Sequence, residues 1–149
     1  MELDAQQRAF LAKNHGAAMV TLRRDGRPHA VRVGVALVDG RVWSSGVPDR
    51  LRTRFLRRDP RCTMFVFESG YGFLTLEGRV TILEGPDAPD LSVRLFQTMQ
   101  ADMPSGPAPG HLFWQGQPLT LEQFRQAMVD EKRLIYELEV ERAYGMVAR

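Results

Sequence analysis

The chain has 149 residues, enough for one domain with a sizeable core, so a single domain over residues 1–149 is expected. Its 20 Lys+Arg against 18 Asp+Glu leave a formal charge of +2, which excludes the strongly basic balance of a general nucleic-acid binder. Cys62 is the only cysteine, which excludes an intrachain disulfide framework and a thiolate metal cluster, and no apolar run approaches the ~20 residues of a membrane span. A soluble, cytoplasmic protein with no membrane partner is expected.

Residues 4–13 read as a helix that turns Phe10 and Leu11 inward and ends near Asn14-His15-Gly16. A first strand runs from Ala17 to Arg23, and Asp25-Gly26 is a two-residue hairpin signal. On its far side, Pro28 to Leu37 alternates His29, Val31, Val33, Val35 and Leu37 against Ala30, Arg32, Gly34 and Ala36, so these two strands should pair antiparallel. A second turn at Asp39-Gly40 leads into Arg41–Gly46.

A short helix loaded with arginine comes next, in the run Pro48-Asp49-Arg50-Leu51-Arg52-Thr53-Arg54-Phe55-Leu56-Arg57-Arg58-Asp59-Pro60-Arg61. Asp49 is the expected N-cap, and Asp59-Pro60 ends the helix because proline disfavours helical geometry in the residue before it. Leu51, Phe55 and Leu56 share the side expected to pack inward, while Arg50, Arg54, Arg57 and Arg58 share the solvent side. Arg52 falls on the apolar side, in the first turn, where free N–H groups and the helix dipole favour a phosphate or carboxylate. Pairing with a neighbouring carboxylate, or reaching outward along its aliphatic stem, is the other reading of this arginine.

Cys62–Phe67 is an apolar strand in which a buried, inert thiol is expected. Ser69-Gly70 opens a long strand from Tyr71 to Leu83, broken by Glu84-Gly85-Pro86. Leu91, Leu95, Phe96 and Met99 mark a helix to about Gln100, and a proline- and glycine-rich loop follows over 103–110. Thr120 with Gln123 forms a capping-box pattern for a helix burying Leu121, Phe124 and Met128, and a last strand runs from Leu134 to Val140. Six strands with short Asp-Gly hairpins and crossover helices argue for a mainly β, α+β fold: an antiparallel sheet closed toward a barrel.

No HExxH, paired CxxC, GxSxG or GxxxxGK[ST] is present, and His15, His29 and His111 lie far apart, so no metal site is expected. Catalytic residues borne by the protein itself stay unassigned, and any reactivity would come from a cofactor with an anionic tail held at the arginine helix. His29, Arg32, Ser44 and Ser45 are candidates to line that groove, Trp43, Tyr71, Phe73 and Trp114 to flank a planar ring. The 103–110 loop with His111–Trp114 reads either as a lid or as a surface loop whose Phe113 and Trp114 anchor a dimer.

Asp25-Gly26-Arg27-Pro28-His29 on the first hairpin, the arginine run of residues 48–61, and Leu76-Glu77-Gly78-Arg79-Val80 in the long strand together resemble the pyridoxamine 5′-phosphate oxidase-like split β-barrel proteins. The chain is most similar to their F420-dependent (deazaflavin) reductase branch of actinobacteria, and the run from Phe124 to Asp130, through Ala143-Tyr144-Gly145, extends the likeness over nearly the whole length. The resemblance implies a homodimer with two cofactor sites at the subunit interface, a small-molecule substrate, and F420 or alternatively FMN as cofactor. It implies that the phosphate meets Arg50 and Arg52, that the ring edge lies along the backbone of His29, Ala30, Val31 and Arg32, and that Ser45 sits beside the polar chain. It also implies that Tyr71 from the partner subunit takes the flanking aromatic position. Relatives commonly carry lysine where this chain has Arg52, which keeps the charge and adds a bidentate fork.

The implied activity is hydride transfer from reduced F420 to an electron-poor C=C or C=N bond, with Arg32, His29 or ordered water meeting the developing charge. A non-catalytic F420 carrier and an FMN oxidoreductase are the alternatives, and the surplus of cations at Arg54, Arg57 and Arg58 favours the polyglutamate tail of F420 over FMN. An acidic or nucleic-acid partner for the outer stripe Arg50, Arg54, Arg57 and Arg58 is the contrasting reading, and no nucleic-acid partner is expected given the modest charge.

Overall fold

The computed structural model describes residues 1–147. Helix α1 (Ala5–Lys13) starts from a capping box in which Asp4 and Gln7 satisfy each other's backbone N–H groups, and it buries Phe10 and Leu11. Strands β1 (Gly16–Leu22) and β2 (Pro28–Gly34) form the expected hairpin around Asp25-Gly26. Gly26 takes φ +87°, and Asp25 accepts from the Arg27 N–H at 3.0 Å.

The second expected strand breaks at Val35, which bends the chain out of β2 into a separate strand β3 (Ala36–Val38). β3 pairs with β4 (Arg41–Gly46) across Asp39 and Gly40, both at positive φ, as the primed hairpin turns require. Helix α2 (Leu51–Arg58) crosses to β5 (Arg61–Phe67), which pairs with the long β6 (Phe73–Leu83).

Helix α3 (Ala88–Gln100) is followed by a hairpin the sequence did not suggest, β7 (His111–Trp114) with β8 (Gln117–Thr120). Helix α4 (Leu121–Asp130) has the expected Thr120–Gln123 capping box. The last strand, β9 (Leu134–Met146), runs past the expected Val140. It keeps its pairing with β6 by a bulge at Glu77/Gly78, where a side chain on Gly78 would overlap the Glu139 carbonyl.

The main sheet therefore has seven strands rather than six, in the order β2-β1-β5-β6-β9-β4-β3, with every recorded pairing antiparallel. Its two edges approach each other because β2 runs directly into β3, and the Ser44 hydroxyl on β4 donates to the Gly34 carbonyl on β2 at 2.6 Å. This is a curled, split barrel. Met19, Met64, Leu74, Leu76, Tyr136 and Leu138 belong to its interior, and a second cluster packs Leu95 of α3 against Trp43 and Ile135. A third cluster joins Leu112, Phe124 and Met128 beside Trp114.

Two sequence expectations about α2 are corrected. Arg50, not Asp49, is the N-cap residue, and it makes no side-chain cap bond. Leu51 is 48% exposed, because the inward row of this short helix is taken by Thr53 and Leu56, with Phe55 half-buried. A helical wheel overlooks Thr53 because it counts a hydroxyl as polar, and this hydroxyl is buried with partners: Val47 O at 2.7 Å and the Tyr136 hydroxyl.

Candidate anion and cofactor site

The start of α2 is open. Thr53 N and Arg54 N bond to Arg50 O at 3.1 and 3.2 Å, while the Leu51 and Arg52 N–H groups have no backbone partner among the described residues. Such an end carries free donors and the positive pole of the helix. Arg52 lies beside it, half-buried, with its guanidinium 5.6 Å from the centre of the Tyr136 ring and one long contact of 3.5 Å from Nη2 to the Ser45 carbonyl. Among the described residues it pairs with no carboxylate, which sets aside the ion-pair reading. Burial holds its proton affinity below the usual arginine range; Tyr136 opposes this, and the charges of Arg50 and Arg133 add to it.

Six buried side-chain atoms lack a hydrogen-bond partner among the described residues, and four of them, Thr21 Oγ1, His29 Nδ1, Ser45 Oγ and Arg52 Nε, lie on the strands and helix that flank this end of the barrel. Buried polar atoms are seldom left unpaired without a reason, and a ligand is one. His29 and Thr21 are cross-strand partners on the inward face of β2 and β1. The His29 ring stands edge-on to Phe55 at 5.3 Å, and Arg23 and Arg58 each lie 5.6 Å from the same phenyl ring. Burial, then the charges of Arg23 and Arg52, lower the His29 pKa, so the imidazole is neutral near pH 7.

β2 is an edge strand, and its free side can be read from the register. Val35 N bonds to His15 O and Arg23 N to Arg27 O, so the odd-numbered residues of β2 face β1. The backbone N–H and C=O groups of Ala30 and Arg32 consequently point to the open edge, while those of His29 and Val31 are used in the sheet. Of the four residues expected along a ring edge, two thus offer backbone groups and His29 offers its side chain on the inner face. The Arg32 side chain lies on the outer face, over Phe67 at 5.5 Å, away from His29.

Several other candidates have different roles. Ser44 is fully buried and closes the barrel seam, so Ser45 alone of the pair is available. Trp43 is buried, with its Nε1 donating to Glu137 at 2.8 Å and the Arg94 guanidinium over its ring at 5.5 Å, in the cluster that packs against α3. Trp114 packs edge-on against Phe96 and Phe124, inside the hairpin and helix module. Tyr71 is 93% exposed, and Phe73 stacks on Phe65 at 5.2 Å on the outer face of the sheet.

In the outer stripe, Arg57 makes a two-pronged pair with Glu84 at 2.8 Å, and Arg58 bonds the Leu22 carbonyl at 2.6 Å. Burial pushes the Cys62 thiol up to about 12, as an inert core cysteine requires.

Thr21 and Tyr136 were missed by the sequence reading. Thr21 was within reach of it: once the Asp25-Gly26 turn is accepted, counting outward pairs Thr21 with His29.

Taken together, the curled antiparallel sheet and the seam where its edges meet define a split β-barrel protein with a donor-rich groove beside α2. The chain belongs to the pyridoxamine 5′-phosphate oxidase family, whose description matches residues 3–146. That family includes oxidases and reductases that use flavin-type cofactors.

Among solved structures, it is similar to a conserved hypothetical protein of Mycobacterium tuberculosis at 21% identity, with a TM-score of 0.73 over 99% of this chain and 86% of that one. It is also similar to an F420 reductase at 16% identity, with a TM-score of 0.63 over 92% of this chain and 94% of that one. A heme binding protein of Mycobacterium smegmatis shares 16% identity, with a TM-score of 0.63 over 99% of this chain and 56% of that one. At these identities the likeness is one of fold, and the variety of ligands named shows that the fold does not choose the cofactor.

Proposed function

We propose that this chain binds the phosphate-bearing chain of the deazaflavin F420 at the start of α2 and acts as an F420H2-dependent reductase. The observation that carries the reading is Arg52: a half-buried guanidinium whose Nε has no partner among the described residues, beside an uncapped helix start and within 3.5 Å of the Ser45 carbonyl. These donors fit a phosphate, with Arg50 adding charge at the rim. The open backbone groups of Ala30 and Arg32 fit the polar edge of a planar ring, and His29 supplies a neutral hydrogen-bonding group between the two.

When bound in its reduced form, such a cofactor supplies a hydride to an electron-poor C=C or C=N bond of a small-molecule substrate. The residues of this chain orient it: Arg52 and the α2 N–H groups fix one end, and the β2 edge fixes the other. A phosphate accepting from Arg52 Nε and Ser45 Oγ would also relieve the desolvation that both groups bear without it.

FMN remains a second reading for a specific reason. Arg57 and Arg58 are engaged with Glu84 and the Leu22 carbonyl, so of the outer cations expected to favour a polyglutamate tail, Arg54 alone makes no side-chain bond among the described residues. The phosphate anchor suits both cofactors.

The proposal includes a homodimer. On the outer sheet face, Phe65, Phe67 and Phe73 stack together, and Phe65, Tyr144 and Met146 are 39%, 48% and 48% exposed. An apolar patch of this kind on a sheet surface favours a protein partner, here a second copy, and would cover Tyr71 or bring it to the partner's groove. Phe65→Glu is expected to give a monomer in sedimentation velocity.

The function is tested by fluorescence titration of the protein with oxidised F420 and, in parallel, FMN, repeated with Arg52→Ala. Micromolar F420 binding lost in the variant, followed by turnover with electron-poor acceptors, supports the reductase. Binding without turnover leaves a carrier, preference for FMN moves the protein to the flavin reading, and binding of neither overturns the proposal.

A further inference from the structure

β1 and β2 turn alternate residues into the barrel, and their register sets Ala17 against Val33, Met19 against Val31 and Thr21 against His29. The first two pairs are apolar. The third places the only polar side chains of these two rows directly opposite each other. A core gains nothing from threonine here, since valine has the same shape, suits a strand as well and leaves no hydroxyl to desolvate.

Thr21 is fully buried, and neither its Oγ1 nor His29 Nδ1 has a hydrogen-bond partner among the described residues, so the two facing groups do not bond each other. Nor is their own backbone free to serve them. Thr21 and His29 belong to the same set of hydrogen-bonded pairs as Arg23 with Arg27, so their N–H and C=O groups are used in the ladder. The α-carbons of such a pair stand about 5.5 Å apart, which puts two short polar side chains within the span of one bridging water. Buried waters take up such positions, between polar groups that the chain itself leaves unmatched.

The two nitrogens of the His29 ring differ. Only Nδ1 is buried without a partner, on the Thr21 side, while Nε2 is left to the groove. Burial, with Arg23 and Arg52 nearby, keeps the ring neutral, so it carries one N–H and one lone pair. An N–H is the worse of the two to bury unpaired, and the partner of one ring nitrogen decides the state of the other.

We propose that Thr21 is a positioning residue: through one buried water donating to Nδ1 it holds His29 as the Nε2–H tautomer, so that the middle of the groove presents a hydrogen-bond donor. The contact then takes an acceptor oxygen of the ligand, a carbonyl or hydroxyl, and refuses an amide N–H. This rests on the reading of the groove as the cofactor site and adds the polarity of its central contact.

The test labels the histidines of the full chain with 15N and reads both ring nitrogens by long-range proton–nitrogen correlation without ligand, using His29→Gln to assign the signals. Wild type and Thr21→Ser should show His29 protonated at Nε2 and bare at Nδ1, titrating below the ordinary histidine range. Thr21→Val should show averaged nitrogen signals and a titration moved up toward the ordinary value, because a ring without its water turns over in the groove. Thr21→Ala is read beside it, so that a packing fault in one variant does not decide the outcome. Affinity for oxidised F420 should fall about three- to tenfold in Thr21→Val and hold within about twofold in Thr21→Ser, the net worth of one hydrogen bond.

A proton on Nδ1 in wild type, or spectra and titration unchanged in both Thr21→Val and Thr21→Ala, overturns the proposal. Because the ring is read without ligand, such a result leaves the Arg52 titration standing. Failure of wild type to bind either F420 or FMN overturns the groove reading and the ligand contact with it, an outcome that the ligand-free spectra do not share.

Discussion

Arg52 and Thr53 are adjacent on α2 and lie in opposite kinds of environment. Thr53 is fully buried, and its hydroxyl is shared between Val47 O and the Tyr136 hydroxyl on the barrel side. Arg52 is half-buried, and its Nε faces no partner on the groove side. One region has its polar groups satisfied by the chain itself, the other holds them ready for something else. Satisfied polar burial stabilises a fold, while unsatisfied polar burial costs stability and persists where a ligand repays it.

The contrast can be broken most visibly at Thr53. Thr53→Val keeps the shape but strands both the Val47 carbonyl and the Tyr136 hydroxyl, and should lower stability by about 1–3 kcal/mol in urea denaturation. Arg52→Met should behave in the opposite way: folding stability holds or rises, because an orphaned charge is replaced by apolar volume, while anion affinity falls at least about tenfold. If Arg52→Met destabilised as strongly as Thr53→Val, the two regions would not differ in kind.

Ser45→Ala sharpens the same point with a smaller effect. Removal of an unpartnered hydroxyl should leave the thermal midpoint unchanged and weaken ligand binding by about 1 kcal/mol in a calorimetric titration.

The smallest effect lies at the far end of α2. Hydrogen bonding from Arg61 lowers the Asp59 pKa from the usual carboxylate value to about 2. A carboxylate whose folded-state pKa is depressed contributes stability above its unfolded pKa and loses it as pH falls toward the folded value. The advantage of wild type over Asp59→Asn should therefore be constant above about pH 5 and vanish near pH 2. For so open a pair it should stay below about 1 kcal/mol.

Local chemistry made much of the molecule readable. The Asp25-Gly26 and Asp39-Gly40 turns, the capping box at Thr120 and the Asp59-Pro60 stop each act within a few residues, so the hairpins, α4 and the end of α2 stand where the sequence put them. The β7–β8 hairpin was not readable in this way, because its strands are short and its turn, at Gln115 and Gly116, sits behind a proline-rich loop. The capping of α2 was misread because Asp49 is one residue too early once Arg50 takes the extended backbone.

The amino-acid sequence by itself determined an antiparallel, barrel-like β protein with an arginine on the wrong side of a short helix, since alternation, turn chemistry and helical period are all local. Tertiary structure alone decided which polar atoms are left without partners and which arginines are already engaged. Pairing of β4 with β9 sets Tyr136 beneath Arg52 across some eighty residues of chain, and no periodicity within either segment carries that information.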